Sequence, residues 1–388
     1  MTKDTDIIII GAGPVGLFTV FEAGLLGLEC ILIDNLDKIG GQCSELYPEK
    51  PIYDIPGVPN QTAQEHVDAL LKQIEPFKYD VFLNERVESL EEIKDENISS
   101  WKIITSEGNE FKAKSVFIAA GAGSFEPRRP PNIDNPDRFL EKGVSYSVKS
   151  KEKFKDKNLV IFGGGDSALD WTVELADITK SIKLIHRRDE FRGAPNTEAQ
   201  MRELVETGSV DLKTPYVIED LVGTEKIEAV LIKNFESKEI EEIKCDEVLF
   251  LFGLNKKLGP IADWGIEMKN KKVSVDTEKY ETTTKGIFAV GDINDYPGKL
   301  DLILCGFHET TLAVQEAFRR SNPGERVPFG YTTSNTKLQK KLGVIDSFAR
   351  WAFRRIVRPG VSYHPLDFMP VYLFSTRSSL PIPCFPAS

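Results

Sequence analysis

The sequence contains no Cys-x-x-Cys pair. Its five cysteines, Cys30, Cys43, Cys245, Cys305 and Cys384, are odd in number and scattered. They build neither a disulfide framework nor a zinc site, so no metal is expected. A reducing, cytoplasmic setting suits them best. No stretch approaches the roughly 20 apolar residues that a membrane-spanning helix needs. The early run Ile7-Ile8-Ile9-Ile10 is too short for a secretory signal. An excess of basic charge is also missing, with 49 Lys and Arg against 60 Asp and Glu and a net charge of −11. That argues against nucleic-acid binding, where phosphates must be neutralised by a basic surface. The hydrophobic fraction of 41% over 388 residues is ordinary for a soluble protein and supplies two cores, at roughly 100–200 residues per domain.

What is present is an internal repeat. Ile7-Ile8-Ile9-Ile10 leads into Gly11-Ala12-Gly13-Pro14-Val15-Gly16, and Leu159-Val160-Ile161-Phe162 leads into Gly163-Gly164-Gly165-Asp166-Ser167-Ala168. Each copy reads as a short buried strand, a glycine turn and a helix start, which is the opening of a βαβ unit. The stretches around Ile31-Leu32-Ile33 and Ile182-Lys183-Leu184-Ile185 would be the second strands. The fold class is therefore α/β, with two Rossmann-like, three-layer dinucleotide-binding domains.

In the first copy, Gly11 permits the tight turn and Gly13 lets a pyrophosphate approach the backbone. Gly16 lets helix and strand pack closely. The helix opened by Pro14 and Val15 directs its N-terminus at phosphate charge. Asp34, 23 residues after Gly11, ends the second strand. A carboxylate there accepts from ribose hydroxyls and repels a 2′-phosphate, so this site wants FAD or NAD.

In the second copy, Ala168 takes the third glycine's place. The same 23 residues counted from Gly163 reach His186, which opens His186-Arg187-Arg188-Asp189-Glu190-Phe191-Arg192. Guanidinium forks bind phosphate oxygens bidentately, so Arg187, Arg188 and Arg192 suit the 2′-phosphate of NADPH. Gly163, Gly165, Asp166, Ser167 and Ala168 would cradle its pyrophosphate. Opposite charge at one repeat position implies two different dinucleotides, and FAD in the first site with NADP(H) in the second is the economical assignment.

Gly286-Ile287-Phe288-Ala289-Val290-Gly291-Asp292, after Thr282-Thr283-Thr284, resembles the second flavin motif of flavoproteins with two dinucleotide folds. By that resemblance Asp292 holds the ribityl chain of FAD. The whole layout resembles the thioredoxin-reductase-like flavoproteins, in which an NADPH domain is inserted into a discontinuous FAD domain. The expected division is 1–122 with 278–330 for FAD, 123–277 for NADPH, and 331–388 as a C-terminal subdomain and extension. A hinge for domain rotation is expected near 121–127 and 275–282. Disulfide reduction needs a thiol pair. Neither Gly143-Val144-Ser145-Tyr146-Ser147-Val148-Lys149 nor Gly40-Gly41-Gln42-Cys43 supplies one.

With thiol chemistry excluded, the chain resembles the ferredoxin–NADP reductases of thioredoxin-reductase type. The resemblance rests on Gly40-Gly41-Gln42, Leu46-Tyr47-Pro48-Glu49-Lys50, Ile52-Tyr53-Asp54, Gly163 to Trp171 and His186 to Arg192. It implies that Tyr47 stacks on one face of the isoalloxazine. It implies that Tyr331 covers the other face from the partner subunit of a homodimer, with Thr333 nearby, and that Gly41, Gln42, Val87 and Phe125 touch FAD. It implies electron transfer between NADPH, FAD and ferredoxin or flavodoxin, carried by the flavin without a protein acid or base as catalyst. The alternatives are an NADPH diaphorase or oxidase serving quinones or oxygen, and a nucleotide-bound redox sensor that does not turn over.

From Val344 onward the chain has no Lys and no Glu. Five Arg against two Asp give +3, which leaves −14 on the rest. Ile345, Phe348, Ala349, Ala352 and Ile356 share one helical face, with Arg350, Arg354, Arg355 and Arg358 interspersed. A weakly packed extension is the favoured expectation over a basic amphipathic helix that docks ferredoxin or a membrane.

Overall fold

Four consecutive isoleucines set the centre of the first sheet. The computed structural model describes residues 2–94, 99–328 and 335–342. Within the strand Lys3–Ile10, Ile7 and Ile9 pack into one core, and Ile8 and Ile10 into another on the opposite face. Side chains alternate across a strand, so an unbroken apolar run marks a strand buried on both faces. The parallel order is Tyr79–Phe82, Cys30–Ile33, Lys3–Ile10, Glu110–Ile118 and Ile287–Ala289. The helices Pro14–Leu25, Ala63–Ile74 and Ile303–Ser321 contribute to the core on one face. The antiparallel strands Val87–Ile93 and Ser100–Thr105, continuous with the first half of Glu110–Ile118, contribute to the other.

The second sheet repeats the plan. Val144–Ser145, Glu247–Phe250, Asn158–Phe162, Ser181–Ile185 and Val210–Lys213 are all parallel. Leu159 and Ile161 pack beneath the helices Asp166–Leu175 and Pro195–Glu206. Val160 and Phe162 pack against the antiparallel strands Tyr216–Gly223, Ile227–Asn234 and Ile240–Lys244. The α/β expectation with two Rossmann-like sheets holds.

The connections between the sheets differ in part from expectation. Ser124–Pro127 pairs antiparallel with Leu254–Lys257, and Arg128 N–H donates to Gly253 O at 2.9 Å. The two crossings therefore run side by side as a short ribbon. The 275–282 segment is not the second crossing. Ile261, Ile266 and Val273 pack with Ile8 and Val116, and Tyr280 is buried in the core of Ile7 and Leu17. The chain thus returns to the first sheet's core about 20 residues earlier than the sequence led one to expect. Thr336–Lys341 forms a short helix in a separate unit, capped by Asn335, whose side chain accepts from Leu338 N–H at 3.0 Å. The arginine-rich stretch from Ile345 to Arg358 lies outside the described residues.

One helix residue gives the stability a pH dependence. Burial alone pushes the Glu22 carboxyl, in Pro14–Leu25, from 4.5 to about 7. The folded state prefers the neutral acid, so its stabilising contribution is complete below 4.5 and lost as pH rises towards 7. Glu22→Gln should remove that part of the slope in chemical unfolding between those pH values. A slope identical to that of the parent would refute the assignment.

Candidate functional site

The glycine turns occupy matching positions in the two sheets. Ile10 pairs with Ile33 and Phe162 with Ile185. Gly11 N–H donates to Ile33 O, and Gly163 N–H to Ile185 O. Asp34 N–H then donates to Phe82 O, and His186 N–H to Lys213 O. Asp34 and His186 are thus equivalent residues of the repeat, as the sequence count expected.

At the first turn Gly11 has φ +113°, a conformation that favours glycine. A Cβ there would lie 2.4 Å from Ala119 O, and one at Gly16 would lie 1.9 Å from Gly11 O. Gly13 caps Pro14–Leu25 without any side-chain partner, so the first-turn amides are available to a ligand. Facing it is Gly41, φ +57°, where a Cβ would come within 3.0 Å of Gly13 Cα. Side chains at these two glycines would fill the gap between the turns. Both turns line one cleft together with Pro14, Val15, Asp34, Gln42, Tyr47, Val87 and Asp292. Phe125 lies in the Ser124–Pro127 strand next to the cleft-lining Ser124, and its side chain is not among those described. Tyr331 and Thr333 lie outside the described residues.

Asp34 Oδ2 accepts from Ala12 N–H at 2.6 Å and Oδ1 from Leu36 N–H at 2.8 Å. Burial pushes its carboxyl up, opposed by hydrogen bonds from the backbone at Ala12, Leu36 and Asn35. A carboxylate has about four acceptor positions, so Asp34 keeps capacity for a ribose hydroxyl while its backbone bonds fix its direction.

Tyr47 packs against the cores of both sheets, beside Cys43, with which it shares a side-chain hydrogen bond. Burial and then the Cys43 side chain hold its phenol well above the ordinary value. Burial likewise pushes the Cys43 thiol up to about 11, so it stays protonated at neutral pH and does not act as a thiolate. Cys30, Cys245 and Cys305 are also free thiols. Three contacts join this segment to the second sheet's side: Lys50 to Asp170 at 2.6 Å, Lys149 to Glu45 at 2.7 Å, and Lys151 N–H to Glu49 at 2.5 Å. The two partly exposed ion pairs among them contribute about 0–1 kcal/mol each.

In the second turn, Gly165 caps Asp166–Leu175 through its backbone, and a Cβ there would meet nothing within 4 Å. The helix N-terminus therefore opens on free space. The loop carrying the arginines folds back along the turn. Arg192 N–H donates to Gly164 O at 2.8 Å and Ala194 N–H to Asp166 Oδ1 at 2.9 Å. The His186 ring stacks on Phe191 at 5.2 Å and lies where a Gly164 side chain would be. Its pKa is lowered by burial and further by Arg187, Arg188 and Arg192, against a raising hydrogen bond with the Glu190 backbone. Arg187, Arg188 and Arg192 are exposed, and no carboxylate pairs with them among the described residues. Ser167 is exposed on the first helical turn, and Ala168 is buried below it.

The profile of the pyridine nucleotide-disulphide oxidoreductase family matches residues 5–317. The chain belongs to that family. It is similar to the protein named ferredoxin–NADP reductase in Beijerinckia indica, at 52% identity over 88% of this chain and 98% of that one. The protein of the same name from Mesorhizobium japonicum is 53% identical over the same shares. Among solved structures, the thioredoxin reductase of Lactococcus lactis resembles it with a TM-score of 0.66 at 25% identity, over 81% of this chain and 98% of that one. The thioredoxin reductase of T. acidophilum, at 20% identity and a TM-score of 0.69 over 82% and 99%, shares the fold. This member of the disulphide oxidoreductase family has only single, separate thiols among its described residues.

Behind the cleft lies a group that the sequence did not single out. Gly291 N–H, beside Asp292, donates at 2.6 Å to Glu309, which is fully buried. The available signal was an acid on the apolar face of a helix, in register with Ala313 and Val314.

Proposed function

We propose that this oxidoreductase is a ferredoxin–NADP reductase with FAD in the cleft at Gly11–Gly16 and NADP(H) at Gly163–Ala168. The observation that carries the assignment is the reversal of charge at equivalent positions, half-buried Asp34 in one copy and, in the other, the exposed Arg187, Arg188 and Arg192 after His186, which have no carboxylate partner among the described residues. The relatives' shared name supports the acceptor. The facing glycines, the uncapped helix N-termini and the orientated carboxylate fit FAD. The open space before Gly165 and the exposed guanidinium groups fit NADPH.

Bound FAD supplies hydride acceptance from the nicotinamide and one-electron release to ferredoxin. The first-turn amides after Gly13 would neutralise the FAD pyrophosphate, and Asp34 would accept from its ribose. Tyr47 would offer its ring to the isoalloxazine, and Gln42, Val87, Phe125 and Asp292 would complete the pocket. Arg187, Arg188 and Arg192 would clamp the 2′-phosphate. The FAD part would comprise 1–122 and the stretch from about 258 to 330, with 128–253 as the NADP part and the 124–127/254–257 ribbon as the place where the two rotate. A homodimer, with Tyr331 and Thr333 reaching the partner's flavin, and a cytoplasmic location complete the proposal. Among the described residues no helix is long and apolar enough to cross a membrane.

The test is NADPH-dependent cytochrome c reduction with and without added ferredoxin. A strong ferredoxin dependence is expected. Flavin reduction without that dependence would favour quinones or oxygen as acceptor, and no turnover with any acceptor would favour a sensor.

A further inference from the structure

Glu309 occupies an unusual place for a carboxylate. It lies in Ile303–Ser321 among the buried Thr310, Ala313, Val314 and Ala317, with its side chain 1% exposed. Four donors converge on it. Oε2 accepts from Gly291 N–H at 2.6 Å and from Asn294 Nδ2 at 2.8 Å. Oε1 accepts from the Tyr296 hydroxyl at 3.0 Å and from Lys299 Nζ at 2.5 Å. The Lys299 side chain is itself only 4% exposed. All four donors come from one nine-residue segment, which begins at the turn carrying Asp292 into the cleft.

The surroundings leave that turn little room. A Cβ at Gly306 would lie 2.4 Å from Val15 Cγ2 and 3.3 Å from Gly291 Cα, so helix, turn and glycine-motif helix are in close contact. A buried ion pair adds little net stability compared with apolar groups of the same size, whereas a fully satisfied polar network specifies one conformation. Here the conformation specified is that of the 291–299 segment.

We propose that Glu309 is a positioning residue for the flavin: by holding Gly291 N–H it fixes the Gly291–Asp292 turn against the cleft, and Lys299 compensates and orients its charge. The inference rests on FAD being the ligand of this cleft, as proposed above. Gly291 N–H needs an acceptor at this place, and Lys299 needs a negative partner. The two needs are separable by substitution.

The test compares wild type, Glu309→Gln, the double variant Glu309→Gln/Lys299→Met and the double variant Glu309→Leu/Lys299→Met. FAD affinity is titrated on flavin-stripped protein, thermal unfolding is followed on the same stripped forms, and bound-flavin absorption and midpoint potential are recorded. The leucine–methionine variant has no unpaired charge, so its stripped form should still fold, destabilised only through the neutral donors of Gly291, Asn294 and Tyr296, while its FAD affinity falls about tenfold or more, for want of an acceptor at the turn. The glutamine–methionine variant keeps an acceptor oxygen and should return to within about threefold of wild type. Glu309→Gln alone leaves Lys299 as an uncompensated buried cation, so it should raise the flavin potential, and adding Lys299→Met should bring it back. Wild-type affinity and absorption in the leucine–methionine variant would overturn the proposal. If that variant does not fold, an unchanged potential in Glu309→Gln would overturn it instead. Wild-type protein that binds no FAD would refute the cofactor assignment and this inference with it.

Discussion

Replacing Arg187 and Arg188 together by alanine is expected to raise the KM for NADPH by roughly 100-fold or more, at about 1.5–3 kcal/mol for each charge-assisted contact with the 2′-phosphate. The KM for NADH should change little, because NADH has no 2′-phosphate. The argument starts from the repeat: His186 stands where the first copy has Asp34, and the loop after it is tied back to the glycine turn through Arg192 N–H and Gly164 O. Both arginines are exposed and without an ion pair among the described residues, so their removal leaves no buried partner stranded. Folding should be affected by only a few tenths of a kcal/mol, as for ordinary surface substitutions. The kcat with saturating NADPH should stay near the parent value, since neither residue lines the flavin cleft. Equal losses with NADPH and NADH would place the phosphate elsewhere.

Asp34→Ala should yield protein that loses FAD on purification, with affinity down by roughly tenfold or more if a carboxylate–ribose bond is worth about 1.5–3 kcal/mol. The carboxylate also supports the cleft, because it accepts from Ala12 N–H within the glycine turn and from Leu36 N–H in the following loop. Removing it leaves both amides without their partner and loosens the backbone that meets the pyrophosphate. Asp34→Asn should be milder, since the amide oxygen replaces one acceptor while its NH2 group faces a second donor. Flavin fluorescence of stripped protein titrated with FAD measures both variants, and affinities equal to wild type would remove Asp34 from the site.

The parts legible in the sequence were those with a period or a fixed spacing. Ile7–Ile10 and Leu159–Phe162 announced strands buried on both faces, and the 23-residue interval located Asp34 and His186, which the sheet register makes equivalent. Gly11, Gly16 and Gly163 could be read because each is required by a close approach, a Cβ at Gly16 lying 1.9 Å from Gly11 O. The return crossing was misplaced because 258–275 has no pattern of its own, and its apolar residues only find the first sheet's core in three dimensions. Glu309 and Lys299 were missed for a similar reason. Ten residues apart and drawn from a helix and a loop, they become partners only when the chain turns at Tyr296–Gly298. Their burial, not their spacing, identifies them.

The most direct measurement of the central claim is anaerobic rapid mixing of FAD-loaded protein with NADPH and oxidised ferredoxin, following flavin and ferredoxin absorbance in the same trace. The account predicts flavin reduction first, then ferredoxin reduction at a rate that depends on ferredoxin concentration, with both phases slowed when limiting NADH replaces NADPH. Rapid flavin reduction by NADPH with ferredoxin left oxidised would contradict it.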